Sequence, residues 1–114
     1  MRLAVAFALV LSLAPVAAAE TTINAHHTWT TIGQNSRLAR ASLSFRKYLG
    51  LINDGSNVIY CTVDGEVAVA NEGIRLAAAG TTGDRVFFDR NVPQGAVRCI
   101  AATGDNRILV IEGR

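Results

Sequence analysis

The sequence predicts an all-β protein, a small antiparallel β-sandwich of jelly-roll type with about seven to nine short strands. Turn-forming residues such as Gly, Asn and Asp recur about every 8–12 residues after residue 36, as expected of a chain that reverses direction after each short strand. The runs between these turns are short and largely aliphatic. No segment after residue 19 keeps the apolar period of about 3.6 residues that marks an amphipathic helix.

The predicted elements follow one another between these turns. Residues 20–36 are polar and rich in threonine, and they predict an arm with at most one loosely held strand near HTWTTIG. Each later apolar run predicts one strand, because its apolar residues alternate or because turn residues bound it. In chain order these runs are RLARASL (37–43), KYLGLIN (47–53), NVIYCTV (57–63), EVAVA (66–70), IRLAA (74–78), RVFFD (85–89), AVRCIAA (96–102) and RILVIE (107–112).

Two glycine turns are expected to organise the middle of the chain. Asp54-Gly55 is a favoured pair for a type I′ turn, so it predicts a hairpin between KYLGLIN and NVIYCTV. Asp64-Gly65 predicts a second turn directly after NVIYCTV. The alternative for residues 66–79 is a short alanine-rich helix, but Gly73 and neighbouring β-branched residues argue against it.

The predicted core consists of apolar side chains that share one face of their strands. Side chains alternate between the two faces of a strand, so every second residue of each run is expected to point inward. The residues assigned to the core in this way are Leu49, Leu51, Ile59, Val63, Ile74, Leu76, Phe87, Val97, Ile108 and Val110.

The first residues, MRLAVAFALVLSLAPVAAAE, predict a secretory signal peptide. Arg2 supplies the positive start, and residues 3–14 form an apolar stretch too short to cross a hydrocarbon core of ~30 Å. Ala17–Ala19 offers the small residues that precede a cleavage site, and a buried apolar helix is the alternative. The predicted organisation is a signal peptide at 1–19, an N-terminal arm at 20–36 and the β-sandwich at 37–114. We therefore expect a periplasmic or extracellular protein without membrane insertion after cleavage.

The charge balance argues against some classes of partner. The formal net charge is +2, and Arg2 contributes one of these positive charges. Such a small surplus does not predict binding to nucleic acid or to an anionic membrane. Arg37, Arg40, Arg46 and Lys47 nevertheless cluster in a stretch without acidic residues. We interpret them as solvated strand-edge residues that discourage edge-to-edge pairing, with contact to an acidic or polysaccharide partner as the alternative.

Cys61 and Cys99 are the only cysteines, and their pattern favours a disulfide bond. Each lies at the centre of a predicted strand beside aliphatic residues of the same parity, so both sulfur atoms are expected to face inward. An exported protein reaches compartments in which disulfides persist. A metal site would need further ligands, and a nucleophile would need a histidine partner. Two buried free thiols or one reactive thiol are the alternatives.

The candidate ligand-binding residues are aromatic and imidazole side chains. Trp29 offers a stacking platform for a sugar ring, and His26 and His27 are candidates for the same ligand. Adjacent residues of a strand point to opposite faces, so these histidines are not expected to chelate one metal ion together. Tyr48 and Tyr60 are further candidate stacking surfaces. The alternative for the whole stretch is a solvated arm with a partly packed Trp29.

No catalytic pattern is found in the sequence. Carboxylates such as Asp64, Asp84 and Asp105 lie in or beside turns, where Asp commonly caps the backbone. Hydrolase chemistry would need a paired acid and base or a nucleophile beside a base. No glycine-rich phosphate loop precedes a helix. We therefore expect a protein that is not an enzyme, with no catalytic residues, no metal site and no cofactor.

Several short motifs follow one another in a recognisable order. They are an Arg-[Arg/Lys]-Tyr-Leu opening, an Asn-x-Gly hairpin, a G-I-x-L-x-A-x-G turn, an aromatic-Asp strand, a V-P-x-G-A-V segment and a terminal L-V-x-E-G. In this chain they are Arg46–Leu49, Asn53–Gly55, Gly73–Gly80, Phe88-Asp89, Val92–Val97 and Leu109–Gly113. In these motifs the chain resembles a small β-sandwich module of tailed-phage and prophage virion proteins. The resemblance implies a head-decoration, neck-fibre or tail-associated structural protein, often homo-oligomeric, and it brings no catalytic residues.

The signal peptide departs from this resemblance, because virion components assemble in the cytosol. Either the module has been redeployed in an exported bacterial protein or the virion role does not apply to this chain. The favoured expectation is an exported, non-enzymatic structural or assembly protein, which forms homo-oligomers or binds a protein or polysaccharide surface. The alternative is a periplasmic or extracellular carbohydrate-binding or adhesin-like module.

Overall fold

The structure, a computed structural model, describes residues 25–114, which form eight β-strands and no helix. The predicted signal peptide and the first residues of the predicted arm lie outside this range. The strands are β1 (Ala25–Ile32), β2 (Arg37–Arg40), β3 (Tyr48–Asn53), β4 (Ile59–Thr62), β5 (Ile74–Leu76), β6 (Arg85–Phe88), β7 (Val97–Ala101) and β8 (Asn106–Gly113).

The strands form two antiparallel sheets of four strands each, which confirms the predicted all-β sandwich. The first sheet has the order β1-β8-β3-β6, and the second has the order β2-β7-β4-β5. β1 pairs with β8, β2 with β7, β3 with β6 and β4 with β5, as if one long hairpin were wrapped around the core. Pairing of β3 with β8 and of β4 with β7 completes the sheets. This wrapped order is a jelly-roll topology.

Strand β1 is a fully paired strand of the first sheet, whereas its sequence predicts an arm or one loosely held strand near HTWTTIG. All eight of its residues are in register with β8, from Ala25 opposite Gly113 to Ile32 opposite Asn106. Ile32 is fully buried in the core. Threonine and aromatic residues suit a half-buried sheet surface, which explains why this polar stretch forms a strand. The sandwich therefore includes residues from Ala25 onward.

Residues 66–70 form a loop, and the strand predicted for EVAVA is wrong. Val67 and Val69 are 66% and 47% exposed, whereas Ala68 between them is buried. The Ala68 amide donates a hydrogen bond to Ser36 Oγ at 2.9 Å, which ties this loop to the start of β2. An alternating pattern becomes a strand only where another strand supplies a ladder of hydrogen bonds, and here the contact is to a side chain.

Asp54-Gly55 does not close a hairpin, because the chain passes here from the first sheet to the second. Asn53 at the end of β3 is fully buried. Its Nδ2 donates hydrogen bonds to the carbonyl oxygens of Asn57, Leu76 and Ala77. Its Oδ1 accepts a hydrogen bond from the Gly55 amide at 2.9 Å. The buried amide group thus fastens the end of β3 to the second sheet. At this point the chain crosses between the sheets and does not form the expected hairpin turn.

The core lies between the two sheets and uses alternate residues of the strands. Seven of the predicted core residues are at most 1% exposed, namely Leu49, Leu51, Ile59, Leu76, Val97, Ile108 and Val110. Val63 and Ile74 pack against them as partly buried residues. The assignment of Phe87 to the core is wrong, because it is 47% exposed while Val86 and Phe88 pack inward. Adjacent residues face opposite sides of a strand, so only one residue of Phe87-Phe88 can point inward.

Cys61 and Cys99 form the predicted disulfide bond. They lie directly opposite each other on β4 and β7, with their Cα atoms 4.1 Å apart. Both residues are fully buried. The bond therefore lies within the second sheet and joins two strands whose cysteines are 38 residues apart in sequence.

A buried ionic cluster joins the loop before β3, the loop before β7 and the end of β8. The Arg46 side chain is fully buried, and its Nε donates to Glu112 Oε1 at 3.0 Å. Its Nη1 donates to the carbonyl oxygens of Pro93 and Gly95, and its Nη2 donates to that of Ala41. A guanidinium group is planar and carries several donors, so it can hold segments that approach from different directions.

This cluster corrects the interpretation of the basic residues. Arg46 is 3% exposed and is not a solvated edge residue. Arg40 is only partly exposed, and its Nε donates to the Glu112 carboxylate from the other side. Arg37 and Lys47 are exposed, as expected. Burial of the Arg46 charge is tolerated because Glu112 and the backbone carbonyls compensate it.

The same cluster gives a structural reason for three of the short motifs. Arg46 opens the first motif, Pro93 and Gly95 lie in the V-P-x-G-A-V segment, and Glu112 lies in the terminal L-V-x-E-G. The side chain of the first motif contacts the other two motifs directly. These motifs therefore specify how the loops close against the sandwich.

Candidate functional site

The outer side of the first sheet carries a band of aromatic and aliphatic side chains. Residues of a strand alternate between its two faces, so every second residue of β1, β8, β3 and β6 points away from the core. We call this surface the aromatic face. It comprises His27, Trp29, Tyr48, Ile52, Phe87, Leu109 and Ile111.

Trp29 occupies the β1 side of the aromatic face and is 48% exposed. It lies opposite Leu109, which in turn lies opposite Ile52. The guanidinium carbon of Arg107 is 4.2 Å from the centre of the Trp29 ring, in a cation–π contact. Arg107 Nη2 also donates to an Asp54 carboxylate oxygen at 2.8 Å. Trp29 is therefore held on the sheet surface by neighbours that leave about half of it open to solvent.

Phe87 and Tyr48 occupy the β6 side of the aromatic face. Their ring centres are 6.1 Å apart and their planes differ by 22°, which is a stacked arrangement. Phe87 lies opposite Gly50 of β3. A Cβ atom at Gly50 would be 2.8 Å from Cδ1 of Phe87, so the absence of a side chain at this position makes room for the ring. Glycine here allows an aromatic ring to lie over the middle of the sheet.

The structure brings three of the candidate ligand-binding residues together. His27, Trp29 and Tyr48 all lie on the aromatic face, on strands β1 and β3. His27 lies opposite Ile111 and next to the row that contains Trp29. The sequence identifies each of these three residues separately as a candidate for ligand binding. The order of the strands in the sheet places them on the same surface.

The other two candidates lie elsewhere. His26 faces the opposite side of β1 from His27 and lines a cavity of about 320 Å³ near Arg40 and Glu112. Tyr60 lies on the outer side of the second sheet, and its hydroxyl group donates to Asn71 Oδ1 at 3.0 Å. These two side chains therefore cannot share a ligand with Trp29.

Sequence reasoning missed the part of the aromatic face that Phe87, Ile52, Leu109 and Ile111 supply. Strand parity contained a signal, because each of these residues is adjacent to one that packs into or against the core. In the run RVFFD, inward placement of Val86 and Phe88 leaves Phe87 outside. Leu109 and Ile111 alternate with the core residues Ile108 and Val110, so their outward direction also follows from parity.

A second concave surface among the described residues is polar. A groove of about 510 Å³ lies between the loop that joins β1 to β2 and the loop that joins β7 to β8. Asp105 is its one carboxylate and Arg37 its one cation, without a histidine or cysteine. Within residues 25–114, no three His, Cys, Asp or Glu side chains converge in a way that could hold a metal ion.

Asp84 is an example of a carboxylate that stabilises a turn by accepting hydrogen bonds. Arg85 Nε donates to its carboxylate at 2.9 Å, and the Gly80 amide donates to it at the same distance. These hydrogen bonds, with that from Arg85 the largest cause, hold the pKa of Asp84 below its usual range. The Asp84 carboxylate thus fastens the GTTGD turn before β6, which is a structural role.

The chain matches no protein-family model, and a search of curated proteins finds no significant match. The described residues include no helix that is long and apolar enough to cross a membrane. The aromatic face is therefore the observation from which a function can be inferred.

Proposed function

We propose that this chain is an exported, non-enzymatic structural protein that assembles with other protein subunits through its aromatic face. The observation that carries this proposal is the continuous apolar surface from Trp29 on β1 to Phe87 on β6. Contiguous exposed apolar surface rimmed by polar residues is uncommon on a monomer and marks sites of interaction.

The composition of the aromatic face suits a protein partner. Its middle consists of Ile52, Leu109 and Ile111, whose side chains have no hydrogen-bonding groups. Charged side chains lie at its rim, where Arg107 adjoins Trp29 and Arg85 ends the row at β6. An apolar centre with aromatic and arginine residues around it is the usual composition of a protein–protein interface. A sugar would leave its hydroxyl groups unpaired over this aliphatic centre.

Two further observations support the proposal. The Cys61–Cys99 disulfide is compatible with an oxidising compartment outside the cytosol. The resemblance to virion modules, which are structural and often homo-oligomeric, agrees with a role in assembly. The location is periplasmic or extracellular, or a virion if the phage-like role applies.

A second candidate function is carbohydrate binding at the Trp29 end of the face. Trp29 is half exposed, and the polar side chains of Thr31 and Arg107 lie opposite each other beside it. An aromatic ring with neighbouring hydrogen-bond donors can stack on a sugar ring and contact its hydroxyl groups. This candidate uses only one end of the aromatic face.

Substitution at the two ends of the aromatic face distinguishes these functions. We expect Trp29→Ala and Phe87→Ala each to weaken binding of a partner subunit at the aromatic face at least tenfold, measured by analytical ultracentrifugation and by pull-down from the extracellular fraction. Tyr60→Ala, on the outer side of the second sheet, is the matched control and should leave association unchanged.

Glycan-array binding of the same variants tests the alternative. A wild-type protein that stays monomeric, finds no protein partner and binds a glycan would contradict the assembly role. If only Trp29→Ala then abolishes glycan binding, the carbohydrate-binding function is correct.

A further inference from the structure

Strand β1 is a long edge strand without the features that normally protect an edge. It lies at one end of the first sheet and extends over eight residues, AHHTWTTI. It contains no proline, no lysine, no arginine and no acidic residue, and its register with β8 shows no bulge. Long, flat and uncharged edge strands are templates for pairing with another strand.

The other edge strands are all protected. β2 has a register irregularity between Leu38 and Arg40 and carries Arg37 at its start. β5 has only three residues, with Arg75 in the middle. β6 has four residues and begins with Arg85. Bulges, short length and charges each discourage edge-to-edge pairing, so β1 is the exception within the described fold.

The free side of β1 has backbone groups available for pairing. In an antiparallel ladder, every second residue directs its N–H and C=O groups away from its neighbour strand. Among the described residues, the backbone of Ala25–Ile32 is hydrogen-bonded only in the ladder with β8. Most of this strand is exposed, so another strand can approach it.

We propose that β1 pairs antiparallel with β1 of a second copy of this chain, across a two-fold axis. The first sheets of two molecules would then form one continuous sheet of eight strands. This inference rests on the proposed assembly function and adds to the aromatic face a second contact, at the free edge of β1, with a second copy as the partner. A two-fold axis requires a self-complementary strand, and β1 qualifies because it brings no like charges together.

Symmetry and strand parity restrict the register of this pairing. Opposite residues of an antiparallel pair point to the same face, so a residue on the aromatic face must pair with another residue on that face. Under two-fold symmetry, one residue must then lie opposite its own copy. The registers that keep most of β1 paired are those centred on Thr28 or on Trp29.

Thr28 Oγ1 is buried and has no hydrogen-bond partner among the described residues, the only such side-chain atom in that part of the chain. Both registers bring it opposite a threonine of the second copy, Thr30 when the axis passes through Trp29 and Thr28 when it passes through Thr28. We assign the register centred on Thr28. Centring on Thr28 places two Thr28 side chains opposite each other, where the hydroxyl groups can bond to each other. This register also places His27 opposite Trp29 of the second copy, which continues the aromatic face across the two-fold axis.

Proline substitution at neighbouring positions tests the edge pairing. Of Thr30 and Thr31, one directs its N–H to β8 and the other to the free edge. We expect wild-type protein with its disulfide intact to sediment as a dimer. One of Thr30→Pro and Thr31→Pro should keep nearly the wild-type Tm but sediment as a monomer, whereas the other should lose thermal stability. A well-folded dimer with the tolerated proline would overturn the inference.

Cross-linking tests the register. Under mild oxidation, Thr28→Cys should form a covalent dimer on a non-reducing gel, whereas Trp29→Cys, which lies opposite His27 of the second copy, should not. A covalent dimer from Trp29→Cys alone would contradict the Thr28-centred register and support the one centred on Trp29.

The face variant Phe87→Ala separates this inference from the proposed function, because Phe87 lies on β6 and does not touch the free edge of β1. Dimers that persist in Phe87→Ala and disappear in the tolerated proline variant support edge pairing. Association that survives the proline and is lost in Phe87→Ala overturns edge pairing but leaves the assembly function standing. A strictly monomeric wild-type protein without any protein partner contradicts both.

Discussion

Arg46 is the residue on which the closure of the sandwich depends most. Its guanidinium group contacts Glu112 and carbonyl oxygens of two separate loops, and it does so without exposure to water. Removal of Arg46 leaves the buried Glu112 carboxylate with Arg40 as its one cationic partner among the described residues and leaves three backbone carbonyl oxygens without their donor. The effect of a substitution here should therefore exceed the effect at any of the exposed arginines.

We expect Arg46→Met to lower the free energy of unfolding by about 3–5 kcal/mol, measured by urea denaturation. Arg37→Met is the matched control, because Arg37 is exposed, and it should change stability by less than about 0.5 kcal/mol. The double variant Arg46→Met with Glu112→Leu should regain part of the loss, since no buried carboxylate is left and the remaining cation of the cluster, Arg40, is partly exposed. Equal effects of Arg46→Met and Arg37→Met would show that the cluster does not contribute to stability.

Phe45, the residue before Arg46, holds an unfavourable backbone conformation. Its φ angle is 62°, in the left-handed region, and its side chain is 77% exposed. A bulky residue in this region costs about 1–2 kcal/mol relative to ordinary backbone. The fixed position of Arg46 explains why the conformation persists, because the Arg46 amide also donates to Gln94 Oε1 at 2.9 Å.

We expect Phe45→Asn to raise the free energy of unfolding by about 1 kcal/mol, because Asn tolerates the left-handed region and little packing is lost. Thermal melting checks this expectation, with Phe45→Val as a comparison that should destabilise, since β-branched residues resist positive φ. A lower Tm for Phe45→Asn would mean that the exposed ring contributes packing that its exposure does not suggest.

At the scale of the strand, the disulfide bond joins elements that are distant in the chain. β4 and β7 are neighbours in the second sheet, and their cysteines are separated by 38 residues. Closing a loop of that length in the unfolded chain is worth about 4 kcal/mol in the chain-entropy model. The ladder between β4 and β7 and the buried aliphatic residues remain when the bond is removed.

The double variant Cys61→Ala with Cys99→Ala should therefore lose about 4 kcal/mol of stability and keep its strand content near room temperature. Chemical denaturation gives the first value, and far-ultraviolet circular dichroism gives the second. The wild-type protein in reductant is the matched comparison. A melt that reductant does not change would show that the bond does not hold the fold together.

At the scale of the whole molecule, β8 holds the first sheet together by pairing with two other strands. It lies between β1 and β3 and pairs with both over most of its length. The last strand thus completes a sheet that the first described strand begins, which is a property of the wrapped jelly-roll order. Such pairings between distant segments make folding depend on nearly the complete chain.

Export is the whole-molecule prediction that tests the proposed location. The apolar segment at 3–14 and the small residues Ala17–Ala19 predict cleavage before Glu20. We expect intact-mass spectrometry of the protein from the periplasmic or extracellular fraction to show a chain that starts at Glu20. A full-length chain in the cytosol would contradict export and favour the virion role.

Local alternation of apolar residues is enough to predict much of the fold. Leu49, Leu51 and Ile59 belong to the core because a strand presents alternate residues to each face, and that rule needs no knowledge of the neighbouring strand. The same rule predicts that both cysteines face inward. Strand identity, most core residues and the disulfide are therefore predictable from local sequence.

Long-range contacts decided the features of the fold that local sequence does not predict. Such contacts depend on which distant segments of the chain come together. Local sequence places Arg46 at the surface, and only Glu112, 66 positions later, supplies the partner that allows its burial. Asp54-Gly55 resembles a hairpin turn, but Asn53 finds its acceptors on the other sheet and directs the chain across the sandwich. The ring of Phe87 lies over the middle of the sheet because Gly50, on the neighbouring strand, leaves space for it.

The aromatic face shows most clearly which features follow from the local sequence and which follow from the tertiary structure. The sequence by itself determined that residues such as Tyr48 and Phe87 are aromatic and lie on strands. Only the tertiary structure placed these strands in one sheet, in the order β1-β8-β3-β6. The physical reason is that strand direction and parity follow from the local backbone, whereas strand order follows from the burial of both sheets against each other.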